Sequence, residues 1–222
     1  MLKAILFDMD GVIVDSEPLH KEAYYKMFRD VNIIVSKKLY ESFTGQSTLK
    51  ICQTLCKNFN LKQAPNELVD LKRKHFKYIF ENDVNFSLID GVLDLIIDYS
   101  SNGLKLVLAS SASMATINRV FKKFHLDQYF IAKLSGADLK ESKPNPEIFI
   151  NAAKASSFKK EECLVIEDST NGIEASKAAG IFCVGFDSLH SKNQNYKKAD
   201  LVIKAFDEIS FKKIRSKFRK AL

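Results

Sequence analysis

The chain has 222 residues, 46% of them hydrophobic and 27% charged, with a formal net charge of +7. That length and apolar content suit one large domain or a core with a smaller insert, and they exclude an intrinsically disordered chain. Apolar runs such as Ala4-Ile5-Leu6-Phe7 are far shorter than the roughly 20 residues a membrane-spanning helix needs, so no membrane partner is expected.

From Met1 the chain runs directly into a strand-like segment, with acidic Asp8 where an export signal would still be apolar; a cytoplasmic location is the expectation. In chain order, strands are predicted over residues 3–7, 105–110, 163–167, 182–185 and 201–203, with a weaker one over 131–135. Helical patterns fill the spaces between them at 92–101, 114–124, 146–156 and 172–179. Strands alternating with helices predict an α/β fold, a Rossmann-like parallel sheet covered by helices. Residues 17–83 break the alternation. Helical patterns recur there at 18–28, 37–43, 48–59 and 66–82, and no strand does. This is an inserted all-helical cap, with the core assigned to residues 1–15 and 87–222 and the cap to 16–86. An insert after the first strand stands over the carboxyl edge of the sheet, where open α/β sheets bind ligands.

Cys52, Cys56, Cys163 and Cys183 form no Cys-x-x-Cys pair and read as free thiols. Residues 188–198 read as a flexible tether. In the tail 211–220, basic and apolar residues alternate at helical spacing, which reads as a solvated helix face rather than a nucleic-acid patch. Neither nucleic acid nor a second copy of the chain is an expected partner.

Four segments carry chemistry. The first strand ends in Asp8-Met9-Asp10-Gly11; on extended backbone residues two apart share a side, so both carboxylates would converge and call for a cation. The second strand ends in Ser110-Ser111, a hydroxyl and free N–H groups at a helix start, suited to a phosphate oxygen. Lys143 lies in Ser142-Lys143-Pro144-Asn145-Pro146 and could neutralise phosphate charge. The strand over 163–167 ends in Glu167-Asp168, a second acidic pair of the oxygen-ligand type that magnesium prefers. Singly, each segment also reads as an ordinary helix cap or surface lysine. Together they describe a site for a cation and a phosphate.

In order and spacing these segments resemble the four motifs of the haloacid dehalogenase superfamily. Residues 8–20 and 166–175 are similar to the helical-cap subgroup that contains β-phosphoglucomutase and small sugar-phosphate phosphatases. The resemblance implies a magnesium-dependent enzyme acting on a small phosphorylated metabolite. In it Asp8 is the nucleophile, Asp10 the general acid/base, and Ser110, Ser111 and Lys143 the phosphate clamp. Asp8, Asp10 and Asp168 would hold magnesium, with Glu167 acting directly or through water. A receiver-type signalling domain also phosphorylates an aspartate, but it lacks a helical insert of this size.

Phosphatase and mutase differ in whether water or a sugar hydroxyl accepts the phosphoryl group. Mutases of the family resemble Lys-Gly-Val-Ser-Arg in the cap loop; the stretch here, Thr44-Gly45-Gln46-Ser47-Thr48, lacks both basic residues. That favours a phosphatase. Against it, His20 and Lys74 match mutase positions, and Lys50 stands near the missing charge. His20, Gly45, Gln46, Lys50 and Lys74 are therefore the expected cap contacts to substrate. The rings of Tyr24, Tyr25, Phe28, Phe43 and Phe76 are expected inside the cap.

Overall fold

The computed structural model describes residues 1–43, 46–137, 139–188 and 193–221, with residues 220 and 221 described by backbone only. Strands β1 (Ala4–Phe7), β2 (Lys105–Ser110), β3 (Phe130–Ser135), β4 (Cys163–Glu167), β5 (Phe182–Phe186) and β6 (Leu201–Ile203) form one sheet. Their order is β3-β2-β1-β4-β5-β6 and every pairing is parallel. Parallel strands covered on both faces read as unbroken apolar runs, and β1 and β4 are buried throughout. Alternation then sorts the side chains: Ile5 and Phe7 enter one apolar cluster, Ala4 and Leu6 the cluster on the other face.

The helical insert comprises α1 (Glu17–Asp30), α2 (Lys37–Glu41), α3 (Thr48–Phe59) and α4 (Pro65–Asn82). It has its own core, in which Tyr24, Met27 and Phe28 of α1 meet Leu55 of α3 and Leu68 of α4. At about 1.5–3 kcal/mol per fully buried apolar side chain, these contacts hold the four helices together as a unit. Phe76, Ile79 and Phe80, further along α4, join the main core instead, so α4 bridges the two parts. Phe76 is thus a junction residue, not a ring inside the cap, and Tyr25 is 38% exposed rather than interior. The two crossings between the parts are linked by a bridge between Val14 and Leu88 and by the bond from Ile89 N–H to Ile13 O (3.0 Å).

Helices α5 (Val92–Ser101), α6 (Met114–Lys123), α7 (Glu147–Ser156), α8 (Thr170–Ala178) and α9 (Phe211–Ala221) complete the fold. Three strands and two helices fall on the residues predicted. Helix α2 stops at Glu41, two residues early, where Ser42 Oγ donates to Leu39 O at 2.7 Å. Helix α8 begins two residues early because Ser169 caps it, accepting from Gly172 N–H at 3.0 Å. α9 buries Ile214 and Phe218 and leaves Lys212, Lys213, Arg215, Lys217 and Arg219 exposed. The cysteines are free thiols, and among the described residues no helix is long and apolar enough to cross a membrane.

The expected tether needs correction over residues 193–198. Gln194 Oε1 accepts from Thr170 N–H (2.8 Å), Asn195 N–H donates to Thr170 Oγ1 (2.8 Å), and Tyr196 Oη donates to Asp168 O (3.0 Å). Side chains in this segment fasten it to the loop after β4.

Candidate active site

Strand order reverses at β1, whose neighbours are β2 on one side and β4 on the other, so a crevice opens at their carboxyl ends. Phe7 stands opposite Leu108 and Ile166, which sets Asp8 beside Ala109 and Glu167. Asp8 N–H continues the ladder to Ile166 O (3.0 Å). Lys143 reaches the same point from the loop before α7. Its Nζ donates to Asp8 Oδ1, to Glu167 Oε1 (2.7 Å) and to Ala109 O (3.2 Å). Ser110, one residue beyond Ala109, is 1% exposed and its Oγ accepts from Ala112 N–H (3.0 Å), shaping the turn into α6. Ser111 follows, half-buried, at the same turn.

Asp8, Glu167 and Asp168 are all buried, and each offers a carboxylate oxygen within 4.8 Å of the others. Two glycines make the room. A Cβ on Gly11, whose φ is +81°, would lie 2.1 Å from Asp168 Oδ2, and one on Gly172 would lie 1.7 Å from Glu167 Oε1. Ser169 fixes Glu167 by donating from N–H and Oγ, both at 2.9 Å. Three carboxylates face one ammonium here. Burial, reinforced by Glu167 and Asp10, pushes the Asp8 carboxyl up to about 8 against the pull of Lys143. Burial also disfavours the Lys143 charge, but Asp8 and Glu167 outweigh it and hold the amine above its usual range. An all-oxygen donor set with surplus negative charge fits a hard divalent cation such as magnesium.

The side chain of Asp10 stands outside that cluster of carboxylates. β1 ends at Phe7, and by Asp10 the chain has already turned into an isolated bridge with Val14, so strand alternation no longer aims the side chain. Its Oδ1 instead accepts from Ser16 Oγ and His20 Nε2 (3.2 Å). Lys72 Nζ donates to His20 Nδ1 (2.7 Å), which leaves the ring proton on Nε2 facing Asp10. Burial works against ionisation of Asp10, but His20, Ser16 and Lys72 together outweigh it and hold the carboxyl low. Burial draws Lys72 down to about 8, with Asp10, Cys52 and Glu17 opposing.

Lys72, not Lys74, is the α4 lysine at the site; Lys74 is exposed. The signal was present in the helical period, because Leu68, Lys72, Phe76 and Phe80 fall on one stripe, and a lysine in an apolar stripe is anomalous. Arg73 was also missed. It lines a cavity of about 20 Å³ with His20, Thr48, Lys72, Phe76, Ala112, Ser113 and Thr116. Gln46 and Lys50 line a second cavity of about 420 Å³, which runs between the start of α3 and residues 139–145 and reaches Lys143. Gly45 lies outside the described residues.

A model of the haloacid dehalogenase-like hydrolase family matches residues 5–186. The phosphatase-like protein YhcW of Bacillus subtilis is 31% identical over 185 residues, 83% of each chain. The phosphorylated carbohydrates phosphatase of Thermotoga maritima is 28% identical over 192 residues, 86% of this chain and 88% of the relative. The crystal structure of β-phosphoglucomutase from Clostridium difficile matches with a TM-score of 0.86 at 30% identity, covering 100% of this chain and 99% of the other. Since the family model runs from the first strand to the end of the fifth, over the same segments that converge at the sheet edge, this chain belongs to the haloacid dehalogenase-like hydrolase family.

Proposed function

We propose that the protein is a magnesium-dependent phosphatase that hydrolyses a small phosphorylated metabolite, a sugar phosphate in preference, through a phosphoryl group carried on Asp8. The observation that carries this is the burial of the Asp8 carboxylate at the sheet's switch point, with Lys143, Glu167 and Asp168 against it. A carboxylate is ionised in the presence of a cation and can attack phosphorus in line, breaking the bond to the ester oxygen. Lys143, the Ser110 hydroxyl and the N–H groups opening α6 hold the phosphoryl oxygens as charge builds on them. Asp10 gives a proton to the leaving alcohol. In the second half Asp10 takes a proton from water, which attacks phosphorus; the bond to Asp8 breaks, and inorganic phosphate and free Asp8 result. Ionised Asp10, the form favoured by His20, Ser16 and Lys72, is the one that accepts water's proton. Magnesium, held by Asp8, Asp168 and Glu167, the last directly or through water, would supply positive charge against the phosphoryl oxygens.

The named activities of the Bacillus and Thermotoga relatives support hydrolysis. The 420 Å³ cavity has room for a sugar-sized body, and the carboxamides of Gln46, Gln53, Asn145 and Asn171 on its wall suit hydroxyl groups. A mutase is the second reading, favoured by one observation: Lys72 and Arg73 of α4 bring to the cap side of the site the positive charge its loop lacks. The test is a panel of phosphorylated metabolites incubated with enzyme and magnesium, following both free phosphate and isomerised sugar phosphate. Phosphate release that disappears in Asp8→Asn, together with acid-stable mass gain absent from that variant, is the expected result. Conversion of β-glucose 1-phosphate to glucose 6-phosphate without phosphate release would select the mutase, and full turnover by Asp8→Asn would overturn both.

A further inference from the structure

One cation outside the site is held in an unusual way. Lys123, the last residue of α6, places Nζ 5.3 Å from the ring centre of Phe80, 5.1 Å from Phe86 and 5.8 Å from Phe124, and donates to Asp83 O at 3.5 Å. These rings come from three places: the core-side end of α4, the crossing back to the core, and the residue that follows Lys123's own helix. They do not stop at the cage. Phe80 meets Phe86 edge-on at 5.1 Å and continues to Phe76 at 6.1 Å, and Phe76 stacks on the His20 imidazole at 4.5 Å and 20°. His20 is the ring that touches Asp10. The far end of α6 returns to the same place, since Ser113 and Thr116 line the small cavity beside His20. A helix of ten residues, rigid over about 15 Å, thus meets the cap at both ends.

From this column we propose that Lys123 is a positioning residue: it clamps the crossing between cap and core and, through Phe80 and Phe76, sets the plane of His20 against Asp10. The inference rests on the proton-transfer role given to Asp10 above. Lys123 lies at the surface, where a cation over aromatic rings contributes about 0.5–1 kcal/mol. If that energy aligns His20, its loss lowers the rate of a step that needs proton donation and spares one that does not.

The experiment compares Lys123→Ala and Lys123→Arg on two probes, β-glycerophosphate, whose alkoxide needs a proton to leave, and p-nitrophenyl phosphate, whose phenolate does not. Lys123→Ala should lower kcat/KM, which reports phosphoryl transfer to Asp8 and not the later attack by water, about twofold to fivefold on β-glycerophosphate and leave it unchanged on p-nitrophenyl phosphate. Lys123→Arg, which keeps the cation over the rings, should recover most of the loss. In a His20→Gln background, Lys123→Ala should cost nothing further, the mark of residues acting through one another. The His20 ring resonances of metal-free protein should shift in Lys123→Ala and return in Lys123→Arg. Equal losses on both probes, losses that add in the His20→Gln background, or an unmoved His20 resonance would overturn the proposal. If wild type hydrolyses neither probe, it is the phosphatase reading that fails, and the resonance still judges the coupling.

Discussion

Replacing Lys72 by methionine should make the protein more stable and a poorer catalyst. The side chain is 3% exposed, and its direct partners are His20 Nδ1 and the rings of Tyr24 and Phe76 at 4.9 and 4.7 Å. Burial moves its ionisation from 10.5 to about 8, and at about 1.36 kcal/mol per pH unit the buried charge costs about 3 kcal/mol. The folded value lies below the unfolded one, so between about pH 8 and 10.5 the unfolded chain binds the proton more tightly. The penalty is therefore complete below about pH 8 and fades as pH rises to 10.5. Methionine keeps the stem's volume and a sulfur–ring contact of about 0.3–1.5 kcal/mol, against a lost cation–π attraction of about 0.5–2 kcal/mol. Asp10 retains Ser16 and His20. The net gain should be about 1–3 kcal/mol at pH 7, a rise in Tm of roughly 2–12 °C for a chain of this length. Urea unfolding of both proteins at pH 7 and pH 10 measures it, with kcat recorded alongside. A variant less stable than wild type at pH 7, or a gain undiminished at pH 10, would refute the reasoning.

Gly11→Ala, which sets a Cβ 2.1 Å from Asp168 Oδ2 at a φ of +81°, should lose more than about 1 kcal/mol of stability and most magnesium affinity by calorimetric titration; wild-type affinity would contradict the role of Asp168. Excess EDTA should silence turnover, and added magnesium should restore it and raise Tm, by about 2.7 kcal/mol of stability at a hundredfold excess over Kd. Activity that survives chelation would exclude the metal. Tyr196→Phe removes the hydroxyl that donates to Asp168 O and should weaken magnesium binding about tenfold with the fold unchanged by circular dichroism. An unaltered titration would show that the 193–198 segment does not steady the acidic loop.

The strands and the chemistry at their ends were legible because both are local. A strand buried on two faces is an unbroken apolar run, and the residue that ends it is polar because it faces the open edge. Asp8, Ser110 and Glu167 each follow from such an ending, and Lys143 and Asp168 from the next loop. Only the folded chain could decide the rest. Asp10 follows a backbone that has left the strand, so its direction is set by Ser16 and His20 and not by alternation. The helical period marks Lys72 as anomalous, but its bond to His20 of α1 exists only in the folded chain, and the Lys123 cage joins residues from α4, the return crossing and α6. Which elements form, and which polar groups stand at the sheet edge, can be read from the amino acids alone, because backbone pairing and burial period act over a few neighbours. Which of those groups touch depends on packing, because a contact between side chains far apart in the chain exists only once the cap and the sheet have come together.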